Sequence, residues 1–140
     1  MPDRKTVLAF DFGLRRIGVA VGQNLTKTAK PLALLKAQDG APKWPEVKQL
    51  ISDWQPQLLV VGLPVHMDGS EQELTRLARR FGNRLNGRFH LPVEWVDERL
   101  TSYEAELMLE ESSAAHANDK IGVDSLSATL ILAQYFAEHG

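Results

Sequence analysis

Two short apolar segments, separated by a tight glycine-containing link, constrain the fold more than any other feature of the sequence. Residues 6–11 and 16–22 are each rich in aliphatic side chains and short, which predicts two β-strands. The four residues between them, Phe12 to Arg15, are too few for a parallel crossover, so the strands are expected to pair antiparallel. The first strand ends on a carboxylate, Asp11, which shares a face with Val7 and Ala9.

The remainder of the chain alternates between predicted helices and strands. We predict a third strand over residues 31–36, further strands over 57–62 and 93–97, and helices over 44–54, from Ser70 to about 85, from Thr101 to about 110 and over 123–138. Ser70 with Glu73, and Thr101 with Glu104, are each expected to form a capping box. This order predicts an α/β fold with a mixed five-stranded sheet, three antiparallel strands first and then parallel ones, with helices on both faces. Residues 1–140 are expected to form a single domain.

The composition is that of an ordinary globular protein and excludes several classes of function. The chain is 44% hydrophobic and 24% charged and carries a net charge of −2, so it lacks the cationic excess of a protein that coats nucleic acid nonspecifically. It has no cysteine, which excludes thiolate metal sites and favours a cytoplasmic location. No apolar run approaches the roughly 20 residues of a membrane span, so we expect no membrane partner.

Carboxylates stand at the edges of three predicted elements that are far apart in the chain. Asp11 ends the first strand, Asp97 ends the strand over 93–97 with Glu98 directly after it, and Asp124 lies in the first turn of the last helix. Each also has a purely structural explanation, as a turn residue, a solvated surface charge or a helix-start aspartate that favours the helix dipole. Strand alternation places Asp97 and Glu98 on opposite faces, so only one of them is expected to point into a common site.

Taken together, the three positions favour a site for a hard divalent cation. Magnesium and similar ions prefer oxygen ligands and keep water and substrate phosphates in their remaining positions. The four histidines show no ligand spacing on a helix, so a zinc site is not expected. The sequence also lacks a phosphate-binding loop followed by Lys-Ser or Lys-Thr and a Gly-x-Ser-x-Gly elbow.

Four linked motifs resemble the RuvX family, also called YqgF, of RNase H-like proteins. They occur in the family order and span nearly the whole chain. The matching segments are Phe10-Asp11-Phe12-Gly13 with Arg15-Arg16-Ile17-Gly18-Val19-Ala20, Val60-Val61-Gly62-Leu63-Pro64 with Met67-Asp68-Gly69, Val96-Asp97-Glu98-Arg99-Leu100-Thr101-Ser102, and Lys120 with Val123-Asp124-Ser125-Leu126-Ser127-Ala128. One departure is Ser127-Ala128, where the family often has two alanines.

The resemblance implies an RNase H-like nuclease in which Asp11, Glu98 and Asp124 are the catalytic residues and hold Mg²⁺ or Mn²⁺. The family is associated with maturation of the 5′ end of the 16S ribosomal RNA precursor, which makes precursor rRNA and ribosomal assembly intermediates the expected partners. On this hypothesis the substrate phosphate is held by a set of cations: Arg15, Arg16, Arg99 and Lys120.

Three other functions remain open from the sequence. Resolution of Holliday junctions in branched DNA is the older description of the family, and fold alone does not settle the substrate. A noncatalytic RNA-binding assembly factor would keep the same fold. The Asp-x-Gly turn also resembles the phosphate loop of actin-like ATPases, although those clamp nucleotide between two such domains. No clear dimer stripe is visible, so we expect a monomer or a weak homodimer.

Overall fold

A computed structural model of the chain describes residues 5–66, 68–98 and 126–139. The strands are β1 (Thr6–Asp11), β2 (Arg16–Gln23), β3 (Thr28–Gln38), β4 (Ala41–Pro42), β5 (Leu58–Leu63) and β6 (Val93–Asp97). The helices are α1 (Trp44–Trp54), α2 (Glu73–Phe89) and α3 (Leu126–His139). Among the residues so described, no helix is long and apolar enough to cross a membrane.

The strands form one mixed sheet in the order β4-β3-β2-β1-β5-β6. β1 pairs antiparallel with β2 and β2 with β3, whereas β1, β5 and β6 run parallel to one another. The predicted class and the predicted division into antiparallel and parallel strands are therefore confirmed. The described part of the chain contains six strands where five were predicted.

The additional strand arises from a tight turn at Asp39-Gly40. Both residues have positive φ, 53° and 84°, and β4 pairs back onto the end of β3. An Asp-Gly pair is well suited to this two-residue hairpin turn because glycine has no Cβ to oppose a left-handed backbone. β3 covers 28–38 and not only the predicted 31–36, because it pairs with β2 from Thr28 onwards and with β4 at Ala37 and Gln38.

Alternating side chains give the sheet two apolar faces, each covered by helices. On one face, α1 and α2 bury residues such as Val47, Phe81 and Leu85 against Leu8, Phe10, Ile17, Val19 and Leu59. On the other face, α3 buries Ala128, Ile131, Leu132 and Phe136 against Val7, Ala9, Ala20, Val60 and Val96. Helices therefore lie on both faces, as predicted.

The predicted bounds of β1, α1 and β6 match the structure, but the capping box of α2 does not. The helix begins at Glu73 after Gln72, whose N–H donates to Thr75 Oγ1 over 3.1 Å. Ser70 N and Oγ instead donate to Asp68 Oδ1 over 2.9 and 2.6 Å, which holds Ser70 in the preceding turn. The predicted Ser70–Glu73 box is therefore wrong, and α2 extends beyond 85 to Phe89.

Two further predictions lie outside the described residues. The helix expected from Thr101, together with its capping box, lies entirely within residues 99–125, which are not described. The predicted start of the last helix, residues 123–125, lies in the same range. The described part of that last helix, α3, ends at His139, close to the predicted end at 138.

α3 lies close to the sheet because β2 carries a glycine beneath it. A Cβ added at Gly22 would stand 1.8 Å from Thr28 O of the neighbouring strand and 3.0 Å from Leu132 Cδ2 of α3. The strand backbone cannot yield by the distance that the Thr28 contact requires, and the Leu132 side chain would also have to move. Gly22 is thus needed for the packing of β2 against β3 and α3.

We expect Gly22→Ala to lower the free energy of unfolding by about 3 kcal/mol, because it overpacks the contact between β2 and its neighbours. Gly87→Ala is the matched control, since a Cβ at this position in α2 has no neighbour within 4 Å. It should stabilise the protein by up to about 1 kcal/mol. Urea denaturation of both variants measures the difference, and equal effects would contradict this account of the packing.

Candidate functional site

The parallel strands bring two of the predicted carboxylates to one edge of the sheet. Asp11 is the last residue of β1, and Glu98 directly follows the last residue of β6. Because β1, β5 and β6 are parallel, their carboxyl ends meet at the same edge, where ligands bind in open α/β sheets. β5 lies between β1 and β6, so a side chain from β6 has to pass over β5 to reach Asp11.

Gly62 of β5 makes this crossing possible. A Cβ added at Gly62 would lie 2.7 Å from Glu98 Oε1 and 2.4 Å from Ile131 Cδ1 of α3. The space above Gly62 is therefore filled by the Glu98 carboxyl on the face that α3 covers. With nothing but a hydrogen on Gly62, Glu98 reaches the Asp11 carboxyl and shares a hydrogen bond with it.

Burial and proximity change the acidity of both carboxyls. Burial raises the pKa of Asp11, and the hydrogen bond with Glu98 partly opposes that effect. Burial, the charge of Asp11, the hydrogen bond with Asp11 and the charge of Asp97 together raise the pKa of Glu98 to about 8. In the metal-free protein at neutral pH, Glu98 is therefore mostly protonated, and its carboxyl O–H donates a hydrogen bond to the Asp11 carboxylate.

The two carboxyls open into a cavity of about 360 Å³. Asp11 and Glu98 form its acidic part, and α3 supplies Ser127, Leu130 and Ile131. The cavity thus has a polar end that can bind a ligand and an apolar wall made by a helix. Asp124, the predicted third ligand, precedes this helix by two residues in the chain but lies outside the described residues.

The chemistry of this pair fits a divalent cation. Two partly buried carboxyls that share one proton repel each other once both are ionised, and a cation between them would remove that repulsion. Oxygen ligands are those that Mg²⁺ and Mn²⁺ prefer. Among residues 5–66, 68–98 and 126–139, no three acidic, histidine or cysteine side chains are placed to hold a metal ion together. Within those residues, Asp11 and Glu98 are therefore an incomplete set of ligands.

The predicted substrate-binding cations are described only in part. Arg15 and Arg16 are exposed at the turn that follows Asp11, and Arg15 O accepts a hydrogen bond of 2.8 Å from Ala37 N of β3. Arg99 and Lys120 lie outside the described residues, and their roles remain predictions. The turn itself depends on Gly13, where a Cβ would stand 2.5 Å from Arg16 O.

Gly62 and Ser127 lie near the carboxyls and within the motifs given above, but the sequence analysis assigns neither of them a role in the site. Gly62 leaves the space through which the Glu98 side chain passes over β5. The sequence indicates this only by a glycine inside an otherwise apolar strand, which often marks a place where another group approaches the backbone closely. Ser127 lines the cavity, and its signal is its position three residues after Asp124 in the same predicted helix.

Comparison with known proteins identifies the family of the chain. Residues 5–138 match the model of the family described as "RuvX: Holliday junction resolvase". A relative from Actinobacillus succinogenes, named "Putative pre-16S rRNA nuclease", is 53% identical over 134 residues, which are 96% of each chain. A relative of the same name from Pectobacterium carotovorum is 53% identical over 136 residues, which are 96% of this chain and 98% of its own.

Solved structures share the fold at much lower identity. The Fowlpox virus resolvase in complex with Holliday junction DNA matches with a TM-score of 0.61 and 13% identity over 96% of this chain and 98% of its own. Thermus thermophilus RuvC with a Holliday junction substrate matches with a TM-score of 0.57 and 16% identity over 97% and 96% of the two chains. The sheet is thus the RNase H-like fold of these resolvases, and the chain belongs to the RuvX family.

Proposed function

We propose that this protein is a metal-dependent nuclease that hydrolyses a phosphodiester bond at the 5′ end of precursor 16S rRNA. The observation that carries the proposal is the pairing of Asp11 with Glu98 at the carboxyl ends of parallel strands, in a cavity open to a ligand. A lone carboxylate in that position would have a structural explanation. Two acids fixed within hydrogen-bond distance, which repel each other once both are ionised, indicate a site for positive charge.

Asp11 and Glu98, with Asp124 as the predicted third ligand, would hold Mg²⁺ or Mn²⁺. The ion, when bound, activates water and neutralises negative charge on the reacting phosphate. Arg15 and Arg16 would hold the substrate backbone from the exposed turn after Asp11. Leu130 and Ile131 present an apolar wall that limits the directions from which water reaches the carboxyls. Arg99 and Lys120 are proposed to add phosphate contacts.

Precursor rRNA is the favoured substrate because similar proteins are named for it. Curated relatives that are more than 50% identical over nearly their whole length are named for pre-16S rRNA. Under this proposal the protein acts on precursor rRNA or on ribosomal assembly intermediates in the cytoplasm, as a monomer or a weak homodimer.

A second candidate is resolution of branched DNA, favoured by the family description and by the fold shared with two resolvases solved with junction DNA. A noncatalytic RNA-binding role would make the carboxyl pair dispensable. The three functions differ in which substrate is cut and in whether the carboxyls are required.

Asp11→Asn and Glu98→Gln should each lower the rate of Mg²⁺-dependent cleavage of a 5′ leader RNA by about two orders of magnitude or more, because each removes a predicted metal ligand. Asp53→Asn and Glu46→Gln are matched controls on α1, on the opposite face of the sheet, and should cleave like the wild type. Labelled leader RNA and a labelled four-way DNA junction are incubated with each variant, and initial rates are measured.

Each outcome distinguishes the candidate functions. Faster cleavage of RNA than of the junction supports the proposed function, and the reverse preference supports the resolvase. If Asp11→Asn and Glu98→Gln cleave as fast as the wild type, the proposed metal site is wrong.

The carboxyl pair also predicts a dependence of stability on pH in metal-free protein. The pKa of Glu98 in the folded state is about 8, above its ordinary value of 4.5, so its stabilising effect is complete below about pH 4.5 and is lost as the pH rises through 8. Glu98→Gln removes this loss. In EDTA at pH 9, we expect its Tm to exceed that of the wild type by about 5 °C, with the difference shrinking towards pH 5.

Differential scanning calorimetry in EDTA from pH 5 to pH 9 measures this effect. Addition of Mg²⁺ at pH 9 should raise the Tm of the wild type more than that of Glu98→Gln, because only the wild type keeps both carboxylates. Parallel pH profiles for the two proteins in EDTA would show that the carboxyls do not repel each other.

A further inference from the structure

Strand register places two cations opposite each other beside the carboxyl site. In the antiparallel pair of β2 and β3, Arg16 is the partner of Lys36. Partners in such a pair project from the same face of the sheet. Ile17 and its partner Leu35 are buried in the core under α1 and α2, so Arg16 and Lys36 project from the other face. Asp11 pairs with Gly18, two residues from Arg16, and therefore lies on that face as well.

This cationic pair has an electrostatic cost in the protein alone. Like charges directly opposite in a sheet destabilise it, since their Cβ atoms are about 5 Å apart. Within residues 5–66, 68–98 and 126–139, neither side chain forms an ion pair, and both are exposed. An anionic ligand bound between the two side chains would offset the repulsion.

The pair is within reach of the nucleic acid that would occupy the carboxyl cavity. Two residues along β2 and one strand spacing separate Arg16 from Asp11, which is roughly 8 Å between Cα atoms. Lys36 lies one strand further out, at roughly 12 Å. These separations correspond to a few nucleotides along one strand. Phosphates next to the reacting one would thus meet the two side chains.

Lys36 also borders a recess in the protein surface. This recess of about 510 Å³ is bordered by the β3–β4 hairpin and by two lysines, Lys36 and Lys43, with one carboxylate, Asp39. This volume is in the range that accepts small organic groups such as a nucleotide. Its lining carries one more positive than negative charge, which favours a phosphate.

We propose that Lys36, paired with Arg16, forms a clamp for a phosphate of the nucleic-acid backbone adjacent to the one that is cut. The clamp rests on the proposed function for its orientation towards the Asp11–Glu98 cavity. Lys36 acts as a binding residue that positions the strand, and it takes no part in bond cleavage. Its ligand is the phosphodiester backbone, in RNA under the proposed function and in branched DNA under the alternative.

Binding of a short labelled single-stranded RNA, measured by fluorescence anisotropy in EDTA in an Asp11→Asn background, tests the clamp without cleavage. Lys36→Met should raise Kd roughly tenfold and lower the slope of log K against log salt by about 0.7, the value for one lost phosphate contact on a single strand. Lys36→Arg should bind like the parent. Lys48→Met removes the same charge from α1 on the opposite face and should leave both quantities nearly unchanged.

Thermal stability distinguishes a phosphate-binding lysine from one that only supports the fold, because substitution of the binding residue should raise the Tm and weaken RNA binding. Lys36→Glu places a carboxylate opposite Arg16, so it should raise the Tm of the free protein by about 2 °C while weakening RNA binding more than Lys36→Met. Lys48→Glu should change neither. In the Asp11-containing protein, Lys36→Met should raise KM for leader RNA with little change in kcat, because the lost contact is made equally in the ground and transition states.

The outcomes separate the clamp from the proposed function. Unchanged RNA and junction binding by Lys36→Met, or equal losses for Lys36→Met and Lys48→Met, would overturn the clamp. If Lys36→Met loses affinity for the four-way DNA junction but not for RNA, the clamp is supported and its ligand is DNA. A loss of binding in Lys36→Met, together with full cleavage by Asp11→Asn, keeps the clamp and overturns the metal site.

Discussion

The contact between the Asp11 and Glu98 carboxyls is the interaction on which the site depends. Two acids at hydrogen-bond distance are stable at neutral pH only because one of them keeps its proton. The fold imposes this proximity: β1 and β6 end at the same edge, and Gly62 of β5 leaves the path between them open. The folded protein therefore holds together two groups that repel each other once both are ionised.

The same arrangement explains why both faces of the sheet are needed. The face under α1 and α2 contains most of the large buried side chains and fixes the strands. The face under α3 carries smaller residues, such as Ala9, Ala20 and Gly62, and so leaves room for a helix and a carboxyl site together. The carboxyl site thus shares its face of the sheet with the smaller core under α3, and α3 contributes to both.

Local patterns in the sequence predict what depends on local chemistry. Short apolar runs mark β1 and β6, and apolar residues at helical spacing mark α1, because these signals lie within each element's own sequence. The predicted capping residue of α2, Ser70, is wrong because its side chain donates a hydrogen bond to Asp68 in a turn that competes with capping. The carboxylates could be named as candidates, but the crossing over Gly62 follows from strand order, a tertiary property that periodicity does not encode. The third candidate, Asp124, lies outside the described residues.

Phe12, the residue after Asp11, gives the site an anchor on the far side of the sheet. Its ring is buried against Phe81 of α2, with centroids 5.4 Å apart, and Phe81 also contacts Phe10 and Trp44. Asp11 is therefore joined in the chain to a residue that is fixed in an aromatic cluster on the face opposite the cavity. A change in the volume of Phe81 would shift a carboxyl on the opposite face, so substitutions remote from the cavity alter its geometry through a single peptide unit.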